Sequence, residues 1–122
     1  MISADKVYNY IVSGGVYAEA SDDKIRASCR QAVDWLARHL KETADSESDL
    51  ALRTAAAMAR FYIFVINMGE SRSYENFKVG DMTVKRDLQK EYEIEKELRT
   101  RALCDAAEIL KDGGFYFVSN SV

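Results

Sequence analysis

None of the 122 residues is proline, and that absence constrains the fold more than any residue present. A proline inside a helix removes a backbone hydrogen bond and clashes with the preceding turn, at a cost of about 3 kcal/mol. A chain without one can run several long helices with no built-in break. The remaining composition suits this reading. Apolar residues at 48% and charged residues at 30% describe a globular chain rather than a disordered one. At this length a single domain over residues 1–122 is expected, and folding hides roughly two-thirds of the surface.

Helical periodicity begins at once. Ser3 is placed to cap a first helix, with Asp5 in the first turn, where negative charge suits the helix dipole. Val7, Tyr8, Ile11 and Val12 fall on one face, and Gly14-Gly15 ends the run. A longer helix follows Ser21, opening on Asp22 and Asp23. Ile25, Cys29, Ala32, Val33, Leu36 and Leu40 recur at threes and fours and form its apolar stripe, while Trp35 and His39 sit on a flank. Residues 43–49 are polar and read as a connection, with Ser46 or Ser48 as the next cap.

The segment from Leu50 to Met68 is apolar around nearly its whole circumference. Its alanines, Phe61, Tyr62, Ile63, Phe64, Val65 and Ile66 leave a narrow polar stripe of Arg53, Arg60 and Asn67. Crossing a membrane would put both arginines in the apolar stretch, each at about 2.5–3.5 kcal/mol. A central helix, covered by protein on most sides, accounts for the pattern better. Gly69 is expected to close it, with residues 70–76 as loop.

After that the period changes to two. Phe77, Val79, Met82 and Val84 alternate with polar residues about Gly80-Asp81, which predicts a β-hairpin with its four apolar side chains on one face. Asp87 is placed to cap a last helix running to about Lys111. In its first half Glu95 with Arg99 and Glu97 with Arg101 have favourable i,i+4 order. Leu98, Ala102, Leu103, Ala106, Ile109 and Leu110 supply the apolar face of the second half. Gly113-Gly114 stops the helix, and Phe115, Tyr116, Phe117 and Val118 follow. The expected fold is therefore mainly all-α: a bundle of four to five helices with a short β-hairpin between the last two long ones.

Catalytic chemistry finds little to stand on. His39 is the single histidine, and no serine or cysteine lies at helical spacing for it to activate. Cys29 belongs to an apolar stripe and reads as a small buried hydrophobe, and Cys104 has no partner at zinc-site spacing. Asp45, Glu47 and Asp49 lack the glycine and terminal glutamate of a calcium loop and read as capping acids. The glycine pairs are isolated turns, not a phosphate loop. No catalytic residue, metal or cofactor is expected. A formal charge of -3 argues against nucleic-acid binding, which needs a net basic surface. The first residues carry neither the basic start nor the apolar run of a signal peptide, so synthesis in the cytoplasm is expected. The consecutive bulky residues of Phe115 to Val118 cannot all face one core, so they read either as a strap over the bundle or as an arm docking on another subunit.

The order of these elements resembles the small head–tail connector (head-completion, adaptor) proteins of tailed bacteriophages and prophages. The resemblance is carried by Leu52 to Val65, by Phe77-Lys78-Val79-Gly80-Asp81-Met82-Thr83-Val84, and by Ala106 to Phe117. It covers roughly the last two-thirds of the chain, and residues 1–45 match only as helices. It implies a non-enzymatic virion subunit made in the host bacterial cytoplasm. Such a subunit joins a ring of about a dozen copies by heterologous contacts, beneath the portal of a DNA-filled head, and presents a platform to the stopper or tail-completion protein. The partners expected are therefore copies of itself, the portal and the stopper, with no sequence-specific nucleic acid and no membrane. Phe77, Val79, Gly80, Asp81, Met82 and Val84 are the hairpin's contact candidates, and Phe115, Tyr116, Phe117 and Val118 those of the tail. Two rivals stand beside this reading. One is a helical adaptor or regulator outside any virion. The other is a small DNA-binding protein using Arg26, Arg30 and Arg38, which are interleaved with Asp34 and Glu42.

Overall fold

The computed structural model describes residues 1–14, 21–77 and 88–111. Four helices lie among them: α1 (Ala4–Ser13), α2 (Asp22–His39), α3 (Asp49–Phe77) and α4 (Leu88–Asp105). The described residues contain no strand, so the all-α expectation holds and the hairpin is not supported. Phe77 is the last residue of α3 rather than the first of a strand. Residues 78–84, with Val79, Gly80, Asp81, Met82 and Val84, lie outside the described residues, as do Asp87 and Phe115 to Val118.

Capping explains where the helices begin. The Ser3 and Ser21 side chains accept from the amides of Lys6 and Lys24. Of the two serines weighed for α3, Ser48 is the cap, its Oγ accepting from Ala51 N–H at 3.1 Å. Each bond satisfies a first-turn amide that the helix itself leaves open. The ends of α3 and α4 depart from the sequence reading. Gly69 does not stop α3, which continues to Phe77. A glycine costs a helix about 1 kcal/mol, and propagation past it adds one hydrogen bond per residue as long as no proline intervenes. The last helix ends at Asp105, not near Lys111. Beyond it the chain tightens into turns, with Ile109 N–H donating to Ala106 O, and Leu110 forms an isolated antiparallel bridge with Leu40. Lys41 N–H donates to Ile109 O at 2.8 Å, tying the end of this segment to the end of α2.

α3 is the hub. α2 packs on it most extensively, α4 and α1 also pack on it, and α1 packs on α2. The core joins Val7 and Ile11 of α1, Ile25, Cys29, Ala32 and Leu36 of α2, Ala51, Ala55, Ala59 and Ile63 of α3, and Leu103, Ala106 and Leu110. Ala51, Ala55, Ala59 and Ile63 recur every fourth residue and are fully buried, one stripe along the helix. Two expected faces need correction. Trp35 is buried, because the face α2 buries is wider than the stripe alone, whereas Val12 is 46% exposed.

A polar clasp joins α1 to α2. Tyr8 Oη donates to Asp22 Oδ1, Arg26 Nε lies 2.9 Å from Asp22 Oδ2, and the guanidinium carbon sits 4.0 Å over the Tyr8 ring. The Tyr8 hydrogen bond, with help from Arg26, holds the Asp22 carboxyl below its ordinary value, and the same bond raises the Tyr8 phenol. The depressed carboxyl contributes stability above its ordinary value and loses it as pH falls through its folded value. The raised phenol contributes below its ordinary value and loses it as pH rises through its folded value. The difference in urea midpoint between wild type and Tyr8→Phe is therefore expected to be widest near neutrality. It should narrow below pH 3.8 and above pH 10. A gap that stays constant across that range would mean the clasp does not form.

Candidate functional site

α1 and α4 both pack on α3 but scarcely on each other, and the space left between them is a groove of about 250 Å³. Ala56 and Ala57 of α3 form its floor. Tyr10, Ile11 and Gly14 at the end of α1 make one wall, and Leu98 and Arg99 of α4 the other, with Phe61 closing one end. Two small side chains in the floor are why a depression exists: at Ala57 the helix surface has nothing beyond a methyl group. Tyr10 and Leu98 are 44% and 40% exposed, so the walls present apolar surface to solvent.

Arginines frame this apolar surface. Arg60 is held by Glu95 in a bidentate pair, Nε to Oε1 at 3.0 Å and Nη2 to Oε2 at 3.3 Å. Glu95 is itself buried, so the pair fixes the spacing of α3 and α4 at the groove's edge. Arg99 lies 4.5 Å over the Phe61 ring, and Tyr92 packs beside the same ring at 6.1 Å. Arg53 pairs with Asp49 at 3.1 Å. The lining thus carries three arginines against one glutamate. The groove offers apolar contact and guanidinium faces, a combination suited to aromatic or aliphatic side chains entering from outside.

Of the contact candidates singled out from sequence, only Phe77 lies among the described residues. Phe77 lies at the far end of α3 from the groove, and the other hairpin and tail candidates lie outside the described residues. Tyr10, Ala57, Leu98 and Arg99 were missed as site residues. Spacing alone places Leu98 on the apolar face of the last helix. A signal was available in Ile94 and Leu98, an i,i+4 apolar pair set in the most charged stretch of the chain and now 49% and 40% exposed. A second apolar surface lies elsewhere: Val65 and Ile66 of α3 are 39% and 37% exposed. At about 100° per residue Ile66 faces away from Ala57.

The remaining candidates have local roles. His39 Nδ1 lies 2.8 Å from the Trp35 carbonyl. A carbonyl can only accept, so Nδ1 carries the proton and donates to this carbonyl one turn back along α2. Cys29 is fully buried, and burial pushes its thiol up to about 11. Asp45 accepts from Glu47 N–H, and Asp49 pairs with Arg53. Among the described residues no group of histidine, cysteine and carboxylate side chains could hold a metal ion, and no helix is long and apolar enough to cross a membrane. Arg26, the first of the arginines considered for DNA contact, is committed to Asp22, Asp5 and the Tyr8 ring.

Comparison with family models, with curated proteins and with solved structures yields no match.

Proposed function

We propose that this chain is a structural subunit that assembles head to tail with copies of itself. Specifically, we propose a head–tail connector subunit, ringed on the portal of a phage head and linking it to the stopper or tail. The observation that carries the proposal is a pair of separate apolar features: the groove between α1 and α4, and the exposed Ile66 on the opposite side of α3, with Val65 beside it. A ring needs heterologous contacts, in which one face of a subunit meets a different face of the next. A chain binding one partner once needs a single such surface. The groove's side-chain chemistry supports a protein contact, since its apolar walls and guanidinium faces suit another chain's side chains.

The test is co-elution of the full chain with the portal ring of the same phage, with and without residues 115–122. The expected result is binding in ring-like stoichiometry, weakened by the truncation. A well-folded chain that fails to bind would discard the connector reading and leave the adaptor with a single partner, which would show one-to-one stoichiometry with that partner.

A further inference from the structure

We infer that the first half of α4, residues 89–99, is a latch that undocks from α3 as a unit while the rest of the domain stays folded. The ion pair between Glu95 and Arg60 holds it shut. The inference concerns the subunit by itself and requires nothing of the connector reading.

Burial divides α4 in two. From Gln89 to Thr100 the one buried residue is Glu95, a carboxylate, and the apolar Ile94 and Leu98 are exposed. From Leu103 onward the pattern reverses. Leu103, Ala106 and Leu110 are buried in the main core, and Lys41 N–H ties Ile109 O to the end of α2. Apolar burial drives docking in proportion to the area removed from water. The core therefore anchors the second half and leaves the first half without such an anchor.

The contacts of the first half agree. Glu95 meets Arg60, and Tyr92 and Arg99 meet the Phe61 ring. Phe61 is buried but stands outside the main core. Undocking thus leaves the core residues of α1, α2 and α3 packed on one another.

A charge pair makes this a latch rather than a loose end. Glu95 is 8% exposed, and a carboxylate at that depth is stable only beside its guanidinium. If one charge of the pair is lost, the other is drawn to water, which Glu95 reaches by undocking. A hinge lies at the right place. Thr100 Oγ1 donates to Lys96 O at 3.0 Å, a bond from side chain to the preceding turn that tends to bend a helix. The open latch removes Leu98 and Arg99 from the groove wall and uncovers Phe61. The groove is therefore a property of the closed state.

The test is native-state hydrogen exchange, read by NMR on the full chain in low urea. Eleven residues are too few to hold a helix in water by themselves, so undocking exposes their amides. In wild type the amides of residues 93–99 are expected to share one opening constant. It should be about a hundredfold or more larger than that of Ala55 and Ala59. Glu95→Gln should raise it by about tenfold or more. Arg60→Gln probes the same pair if that variant does not fold. Ile25→Val, in the core face of α2, should speed exchange at Ala55 and Ala59 by about two- to tenfold. It should leave residues 93–99 unchanged, because Ile25 stays packed whether the latch is open or closed. Three results would overturn the inference. Exchange at 93–99 that follows the core amides in Ile25→Val would mean that only global unfolding opens them. Protection rising steadily from residue 93 to 103 would mean fraying from the helix end. An opening constant unmoved by loss of either charge would mean the ion pair does not hold the segment.

Discussion

Replacing Ala59 with leucine is expected to lower the unfolding free energy by about 3 kcal/mol, the upper part of the range for overpacking a full core. The same replacement at Ala57 should change it by less than about 1 kcal/mol. The two positions share a helix, a residue type and nearly equal helix propensities in either form, so propensity cannot separate them. Their surroundings can. Ala59 is fully buried in the stripe with Ala51, Ala55 and Ile63, on the helix to which α2 packs most extensively. The face of α2 that enters the core is also built from small residues, Ser28, Cys29 and Ala32, each essentially inaccessible. Small side chains let two backbones approach closely, and three added carbons have no free volume to enter. Ala57 instead forms the groove floor, where a leucine meets space. Urea titrations with a common slope would measure both changes. Equal losses at the two sites would mean that Ala57 is as tightly packed as Ala59 and that no groove exists there.

The contrast also shows what the sequence could and could not convey. Serine before an apolar periodic run is a local signal: Ser3 caps its helix as expected, and α2 begins after Ser21 as expected, with Ser21 as its cap, because a cap depends on three or four neighbouring residues. The stripe of Ile25, Cys29, Ala32 and Leu36 was legible for the same reason. Termini set by competition were not. Gly69 has the chemistry of a stop, but whether a helix stops depends on what the following residues gain by continuing, and here α3 gains enough to reach Phe77. Glu95 shows a different limit. Its spacing to Arg99 was visible in sequence, while its bidentate pairing with Arg60, 35 positions away, is created by the packing of α3 on α4. The groove belongs to that second class. It arises because α1 and α4 flank α3 without closing on each other, and no local pattern encodes a gap between helices distant in sequence.

Trp35→Ala is expected to cost about 3–4 kcal/mol, comparable to the loss at Ala59 but by the opposite mechanism, a cavity in place of a clash. Read from spacing alone, Trp35 lies beside the α2 stripe, where a large ring would contribute little. In the folded chain it is 7% exposed and belongs to the main core with Leu36 and Ile63. Its outer face stacks on His39, ring centroids 4.5 Å apart and planes inclined by 26°. His39 is held there by its bond to the Trp35 carbonyl, so the last turn of α2 lids the indole. For a domain of this size the expected loss lowers the thermal midpoint by roughly 10–15 °C, read by circular dichroism because the substitution removes the only tryptophan. His39→Ala should cost about 1 kcal/mol, since it removes one stacking contact and one hydrogen bond at a helix end. If Trp35→Ala proved no more harmful than His39→Ala, the indole would lie outside the core and the flank reading from sequence would be restored. A large loss at Trp35 with a small one at His39 would establish that α2 buries a face wide enough to include both its regular stripe and the neighbouring ring.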